Sequence, residues 1–268
     1  MKAVSTPPRP LRFWLQLSWV LALCVFLVLP VVVSSLAGLT VNYQTGLRSG
    51  LTLRWVLEVW EGYRDTLWRS MGIAVACLMI TTLIGVPAAY ALSRMPGRLA
   101  RLLEELLVLP VALPGLATAL ALIVAWGAVG SFRQSSAFIL VGHVLFTLPF
   151  MVRSVLAVIH AVDLKTLEEG AASLGAGFLR RFFDVVLPNV RGGVTAGALM
   201  TLTLSVGEFN MSWLLHTPLT KTLPVGLADA YASLRLEVAS AYTLVFFVMI
   251  IPLLLLIQRM GRDARKPS

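Results

Sequence analysis

One acidic residue, Glu208, lies inside an apolar stretch of this sequence that runs from about residue 194 to residue 215. If the stretch crosses a membrane, the carboxylate costs about 2.5 kcal/mol or more to insert, so it must face a protein interior or a watery cavity. Two hypotheses follow. Glu208 lines a pathway for a polar solute and favours a cation, or its carboxyl group bonds a neighbouring helix in a structural role. The polar neighbours Asn210 and Ser205 are candidates for the same cavity.

The other residue types that support chemistry do not form a catalytic or metal-binding set. His143, His160 and His216 lack metal-ligand spacing, and we interpret His143 as a hydrogen-bonding group between helices. The glycine-rich stretch 170–177 is not followed by Gly-Lys-Ser/Thr, so the sequence has no phosphate-binding loop. It contains neither the His-Glu-x-x-His motif of zinc proteases nor a motif that marks a nucleophile. We therefore predict a chain that is not an enzyme and has no catalytic residue, metal or cofactor of its own.

The composition places these residues in a membrane protein. Of 268 residues, 58% are apolar and only 13% are charged, against roughly 25% charged in soluble domains. The net charge of +9 comes from basic residues between long apolar runs, which favours basic loops beside a membrane over a nucleic-acid surface. Soluble, disordered and nucleic-acid-binding classes are thereby excluded. Cys24 and Cys77 both lie inside apolar runs and are predicted to be small buried apolar groups.

Six apolar runs are long enough to cross a bilayer, which takes about 20 residues. They extend from about 13 to 39, 70 to 93, 106 to 130, 137 to 161, 194 to 215 and 238 to 257. The first is too long for the apolar core of a secretion signal, so we interpret it as a retained helix. The sequence predicts an all-α membrane protein with a single transmembrane domain over 13–257.

Lysine and arginine are distributed unevenly between the loops. Most lie in residues 1–12, in the second and fourth loops, and in the basic tail 258–268 with Arg259, Arg262, Arg265 and Lys266. Because cytoplasmic loops are enriched in these residues, both termini and the loop 162–193 are predicted to be cytoplasmic.

Small residues recur every four positions in two of the runs, which places each set on one helix face. The favoured interpretation is close packing within this bundle, and the alternative is contact with a second membrane subunit. The sets are Cys77, Thr81, Gly85, Ala89 and Ser93 in the second run, and Gly193, Gly197, Thr201 and Ser205 beside and within the fifth.

The loop 162–193 is predicted to contain a short amphipathic helix. Four apolar residues at spacings of 3, 4 and 3 define one helix face: Leu164, Leu167, Ala171 and Leu174. Thr166 and Glu169 form a capping-box pattern that predicts the helix start, and Gly175 and Gly177 are the predicted stops. Such a helix either lies on the lipid surface or presents its apolar face to a groove in a soluble partner.

The same loop resembles the "EAA" loop of ABC-importer permeases. Glu169-Gly-Ala171 is followed after three residues by Gly175, and after nine more by Val185-x-Leu187-Pro188. The family pattern is Glu-Ala-Ala, three residues, Gly, nine residues, then Ile-x-Leu-Pro, so the spacing matches and only Gly170 and Val185 depart from it. Glycine at position 170 loosens a helix by about 1 kcal/mol relative to alanine.

Shorter segments in the expected order extend the resemblance to about residues 50–257. They include Gly85-Val-Pro-Ala-Ala-Tyr-Ala91, Gly207-Glu208-Phe209 and Thr222-Leu-Pro224. The chain looks closest to the permeases of polyamine, ferric-iron and 2-aminoethylphosphonate importers.

The resemblance implies a type I ABC-importer permease with six transmembrane helices in a bacterial inner membrane. In that family two permease subunits, identical or paralogous, form the pathway, and two ATPase subunits use ATP and magnesium. A periplasmic or extracellular binding protein delivers the substrate, and a coupling helix docks on the ATPase. The coupling residues implied here are Lys165, Leu167, Glu168, Glu169, Gly170, Ala171, Leu174, Gly175, Leu187 and Pro188.

The substrate is predicted to be a small polar solute such as a polyamine, which Glu208 would favour. Ferric iron and 2-aminoethylphosphonate are the alternatives within the family. Two other classes are alternatives to it: a membrane-embedded enzyme, which needs a nucleophile–base pair or metal ligands, and an ion-coupled carrier, which usually has more intramembrane charge than Glu208 alone. A carrier has no need of the loop 162–193.

Overall fold

A computed structural model describes residues 11–263 of the chain, with side chains from 12 to 259. Within this range the regular secondary structure is helical, apart from one isolated antiparallel bridge between Thr40 and Leu51. A 3₁₀ turn covers Gly46–Ser49, and a π-helical segment covers Phe182–Val186. The helices are α1 (Leu11–Ala37), α2 (Arg54–Ser93), α3 (Gly97–Ala112), α4 (Gly115–Trp126), α5 (Gly130–Arg133), α6 (Ser136–Ala161), α7 (Leu164–Ser173), α8 (Phe178–Arg181), α9 (Leu187–Gly207), α10 (Asn210–Leu215), α11 (Leu223–Ala232) and α12 (Leu236–Asp263).

Four of the described helices, α1, α2, α6 and α12, are long and apolar enough to cross a membrane. Helices α3 and α4 together add a fifth crossing if the bent pair counts as one span. The predicted all-α membrane fold is confirmed. The fifth predicted span, 194–215, corresponds to α9 and α10, which are separated by a break. The count of six spans stays a prediction.

The third predicted span, 106–130, is not one straight helix. Helices α3 and α4 meet at a bend of 100°. Leu113 is extended, with φ −85° and ψ 142°, because the ring of Pro114 disfavours the helical conformation of the residue before it. The apolar run is continuous in sequence although its backbone changes direction.

Several element boundaries also differ from the predicted spans. Helix α2 has 40 residues and is therefore about 60 Å long, twice the hydrocarbon thickness of roughly 30 Å. Its first turns, before the predicted start at residue 70, carry Glu58, Glu61 and Asp65. Helix α9 begins at Leu187 and not at 194. The N-terminal segment is described only from residue 11, and Arg265 and Lys266 of the basic tail lie outside the described residues.

Helix α6 lies at the centre of the bundle, in contact with both α2 and α9. The faces of small residues make this contact possible. A Cβ atom at Gly193 would lie 2.5 Å from the carbonyl oxygen of Ser154, and one at Gly197 would lie 2.6 Å from the sulfur of Met151. The interpretation of these small residues as packing sites within the bundle is confirmed.

We expect Gly193→Ala to lower the thermal stability of the detergent-purified chain, because the added methyl group meets the α6 backbone and overpacking costs about 1–3 kcal/mol. Gly72→Ala in α2 is the matched control, since nothing lies within 4 Å of a Cβ there. Unfolding midpoints followed by tryptophan fluorescence test the comparison. Equal midpoints for the two variants would contradict the close α6–α9 approach.

Candidate functional site

The N-terminus of α7 is capped by Asp163, three residues before the predicted cap. The backbone N–H of Thr166 donates to Asp163 at 3.3 Å, and the Thr166 hydroxyl donates at 2.6 Å. These hydrogen bonds hold the pKa of Asp163 below its usual value. The prediction that Thr166 is the N-cap was wrong. The carboxylate of Asp163, three residues earlier, accepts the first hydrogen bonds of the helix, and Thr166 is their donor.

Gly175 ends α7, as predicted. It has φ +82°, in the left-handed region that favours glycine. The N–H of Gly175 donates to the carbonyl of Ala172 at 2.9 Å, and the N–H of the next residue, Ala176, donates to the carbonyl of Ala171 at 3.1 Å. This is the hydrogen-bond pattern of a Schellman end, so α7 is a short helix with both ends fixed.

The two sides of α7 have different surroundings. Leu164 and Glu168 are buried, with 3% and 4% exposure, and Ala171 is half-buried on the same side. Leu167 and Leu174 are instead exposed, Leu174 to 90%. The single apolar face predicted from spacing is therefore divided between the chain's own core and the surroundings. On α7 and the turn that follows it, the other exposed coupling candidates are Lys165, Glu169, Gly170 and Gly175.

Leu187 and Pro188, the last two residues of the pattern that resembles the "EAA" loop, lie where the π-helical segment passes into α9. The N–H of Leu187 donates to the carbonyl of Phe182, five residues earlier. Pro188 has no N–H to donate to the preceding turn, and a π-bulge is one way in which a helix absorbs such a gap. The side chain of Asn189 donates to the carbonyl of Val185 at 2.7 Å. The motif therefore builds a local irregularity at the start of α9.

A second candidate region is the break between α9 and α10. Glu208 is extended, with ψ 109°, and its Oε1 accepts the N–H of Met211 at 2.6 Å. The half-buried carboxylate thus caps the first turn of α10. A Cβ atom on Gly115, the first residue of α4, would lie 3.4 Å from Glu208 Oε1. The two helix breaks, at 113–114 and 208–209, therefore adjoin each other, and we call this region the central break.

A buried histidine stabilises the central break. His143 Nδ1 lies 2.9 Å from Ser205 Oγ, and its Nε2 lies 3.0 Å from Ser212 Oγ. The histidine of α6 thereby joins α9 to α10, which confirms its interpretation as a hydrogen-bonding group between helices. Of the three pathway candidates, Ser205 is buried in this cluster, Glu208 is half-buried and Asn210 is exposed.

Sequence reasoning missed a group of charged side chains between α3 and α6. Arg101, Glu104, Glu105 and Arg153 line a cavity of about 430 Å³, which we call the charged groove. Among the described residues none of the four takes part in an ion pair. The available signal was Arg153, a basic residue within the apolar run 137–161. No sequence spacing links it to α3, because the groove depends on the contact between α3 and α6.

A family model described as "Binding-protein-dependent transport system inner membrane component" matches residues 81–266. The matched range contains α7, the π-helical segment, the central break and the charged groove. Both candidate regions therefore lie within the part of the chain that the family model covers.

Three curated relatives are permease proteins by name. The molybdenum transport system permease protein of Mycobacterium tuberculosis is 26% identical over 275 residues, and the match covers 97% of each chain. A probable molybdenum ABC transporter permease protein of Haloferax volcanii is 31% identical, with 72% of this chain and 74% of the relative covered. A putative 2-aminoethylphosphonate transport system permease protein of Salmonella typhimurium is 25% identical, with 89% and 90% covered.

A solved structure has the same fold. It is a bacterial alginate ABC transporter in complex with an alginate pentasaccharide-bound periplasmic protein, and its matching chain superposes with a TM-score of 0.74. The match covers 96% of each chain at 14% sequence identity. The predicted permease fold is confirmed by this likeness.

We expect Gly175→Ala to fray the C-terminal turn of α7, because a residue with a Cβ atom costs about 1–2 kcal/mol in the left-handed region. Gly177→Ala is the matched control, since Gly177 has φ −68° and open space around its Cα. Hydrogen–deuterium exchange of residues 170–176 should accelerate in the first variant and not in the second. Unchanged exchange in both would contradict the role of Gly175 as the helix end.

Proposed function

This chain belongs to the family of binding-protein-dependent transport system inner membrane components, and from that premise we propose its role. It forms a solute pathway and receives energy through α7. The chain is a permease subunit of an ABC importer, a transport subunit and not an enzyme. In this proposal it lies in a bacterial cytoplasmic membrane with both termini inside. It pairs with a second permease subunit and receives solute from a binding protein on the other side.

The exposed face of α7 is the observation that carries the energy-coupling role. Leu174 is 90% exposed and Leu167 44% exposed, on a helix whose two ends are both capped. A rigid helix with protruding leucines suits an apolar groove in a protein partner. The alternative, a helix lying on lipid, is less well supported because helices that bind anionic lipid are rich in Lys and Arg. On α7 a single Lys165 faces outward beside Glu169.

The charged groove and the central break support the pathway role. A charged side chain at membrane depth is stable where it meets water or an opposite charge, and Arg153 has no ion-pair partner among the described residues. Broken helices that meet within a bundle are a recurrent way of building a solute site in transporters. We place the pathway along α3, from the charged groove to Glu208.

The substrate proposed here is a small oxyanion or phosphonate. Arg101 and Arg153 line the groove and could pair with such an anion. Glu208, the basis for predicting a polyamine, has a structural task as the cap of α10. Three relatives that cover most of this chain carry molybdenum or 2-aminoethylphosphonate in their names. A polyamine is the second candidate, because Glu104 and Glu105 line the same groove.

We expect the tagged chain, purified in mild detergent from its own host, to bring an ATPase subunit with it. Leu174→Glu should abolish this association, because a carboxylate would enter the apolar contact. Leu219→Glu is the matched control, since Leu219 is 77% exposed between α10 and α11, on the predicted outer side. Mass spectrometry of the eluates measures the ATPase. Recovery of equal amounts with both variants would contradict docking through α7.

Glu208→Gln and Glu208→Ala separate the charge of this residue from its capping role. Glutamine keeps an oxygen that accepts the N–H of Met211, whereas alanine removes the cap, a loss of about 1 kcal/mol. We expect Glu208→Gln to keep the unfolding midpoint and the uptake of molybdate or 2-aminoethylphosphonate, and Glu208→Ala to lower the midpoint. If Glu208→Gln instead loses spermidine uptake while its unfolding midpoint is unchanged, the result would support a polyamine as the substrate.

A further inference from the structure

Glu168 differs from every other charged residue of α7 in its surroundings. It is 4% exposed, whereas Lys165 and Glu169 have side chains exposed to 75% and 66%. Its carboxylate forms an ion pair with Arg94 and accepts a hydrogen bond from the hydroxyl of Tyr90 at 2.7 Å. Both partners belong to the end of α2, which is separated from α7 by more than 60 residues of sequence.

The partners of Glu168 are themselves arranged as a unit. Tyr90 and Arg94 are four residues apart, so they share one face of α2. The guanidinium carbon of Arg94 lies 5.3 Å from the centre of the Tyr90 ring. Arg94 is also the C-cap residue of α2, where a positive charge is favoured by the helix dipole. The burial of Glu168 is thus compensated by a charge and a hydrogen bond, as a buried carboxylate requires.

The Tyr90 ring also contacts the segment that leads into α9. Its centre lies 5.5 Å from that of Phe182, at an edge-to-face angle of 76°. Phe178 of α8 lies 6.3 Å away. Tyr90 therefore contacts α7 through its hydroxyl and the π-helical segment through its ring. We call Tyr90, Arg94 and Glu168 the α2–α7 clasp.

Without the clasp, α7 would be joined to the bundle mainly through its chain connections. On the C-terminal side these include the Gly175–Gly177 turn, which has a residue at positive φ. Leu164 is the other buried anchor, and it lies in the first turn of α7, next to α6. A partner that displaced α7 would therefore move it relative to α2 unless the clasp were present.

We propose that Tyr90, Arg94 and Glu168 are positioning residues that transmit displacement of α7 to α2, so that the docked helix moves two spans, α2 and α9, together. This inference rests on the proposed docking of α7 on an ATPase. It assigns different tasks to two adjacent glutamates: Glu168 faces the permease itself, and Glu169 faces outward. The clasp carries the motion because α2 and α9 both pack on the central helix α6.

The test uses the purified complex of the permease with its ATPase, and it needs no knowledge of the transported solute. Trapping ADP with vanadate should change hydrogen–deuterium exchange at residues 88–94 of α2 in the wild-type complex. Glu168→Arg and Arg94→Glu should each reduce this change by about tenfold, since each reversal removes the ion pair and sets two like charges against each other at the buried position 168. The ATPase should still co-purify, because the outward face of α7 is unaltered. The double variant Glu168→Arg/Arg94→Glu should restore most of the change.

The matched control is Asp184→Arg, which breaks the exposed pair between Arg180 and Asp184, 3.4 Å apart, and should leave the change intact. If a reversal fails to accumulate, Glu168→Gln replaces it, because glutamine keeps an acceptor for Tyr90 and loses the charge. The clasp alone is overturned if the wild-type complex shows the α2 response and the single variants keep it, or if the double variant does not restore it. A wild-type chain that purifies without any ATPase overturns the proposed function and the clasp with it.

Discussion

A backbone amide or carbonyl without a partner costs several kcal/mol in hydrocarbon, so a helix cannot simply stop inside a membrane. Helix α10 has only six residues and lies within the predicted fifth span, so both of its ends need partners. Glu208 accepts from the N-terminal turn, and Arg133 donates to the carbonyl oxygens of Leu215 and Leu214 at 2.7 and 3.3 Å. The charged residues around this span are therefore first of all the means by which a broken helix is tolerated.

The same constraint explains which parts of the bundle are rigid. The contacts between α2, α6 and α9 depend on glycines and on His143, whose two ring nitrogens join α9 to α10. Helix α3, described along its whole length, has no buried side chain, although it carries three of the four charged residues of the charged groove. In the proposed function, this uncovered helix beside a tightly packed block is where the solute path and a partner subunit would meet.

Much of the fold was predictable because it depends on composition and local rules. The apolar runs, the stop at Gly175 and the small-residue faces were read directly from spacing. The size of the bend at Pro114, 100°, could not be predicted, because proline within a membrane helix is often absorbed as a small kink and apolar composition does not indicate direction. The cap at Asp163 was missed because two competing caps lay three residues apart. The charged groove depends on contacts between α3 and α6, which a single sequence does not show.

The two adjacent glutamates of α7 show what sequence alone can and cannot resolve. Consecutive residues on an α-helix lie about 100° apart, so one of a pair can face the protein while the next faces away, and the spacing of the leucines did not decide which. The structure decides it through a partner far away in sequence, since Arg94 and Tyr90 hold Glu168 against α2. Leu164 turns inward for the same reason, and Leu167 and Leu174 are left on the outward side. A helix fixed in rotation by one buried charge presents a defined outward face, and this is the property that the proposed lever between two proteins requires.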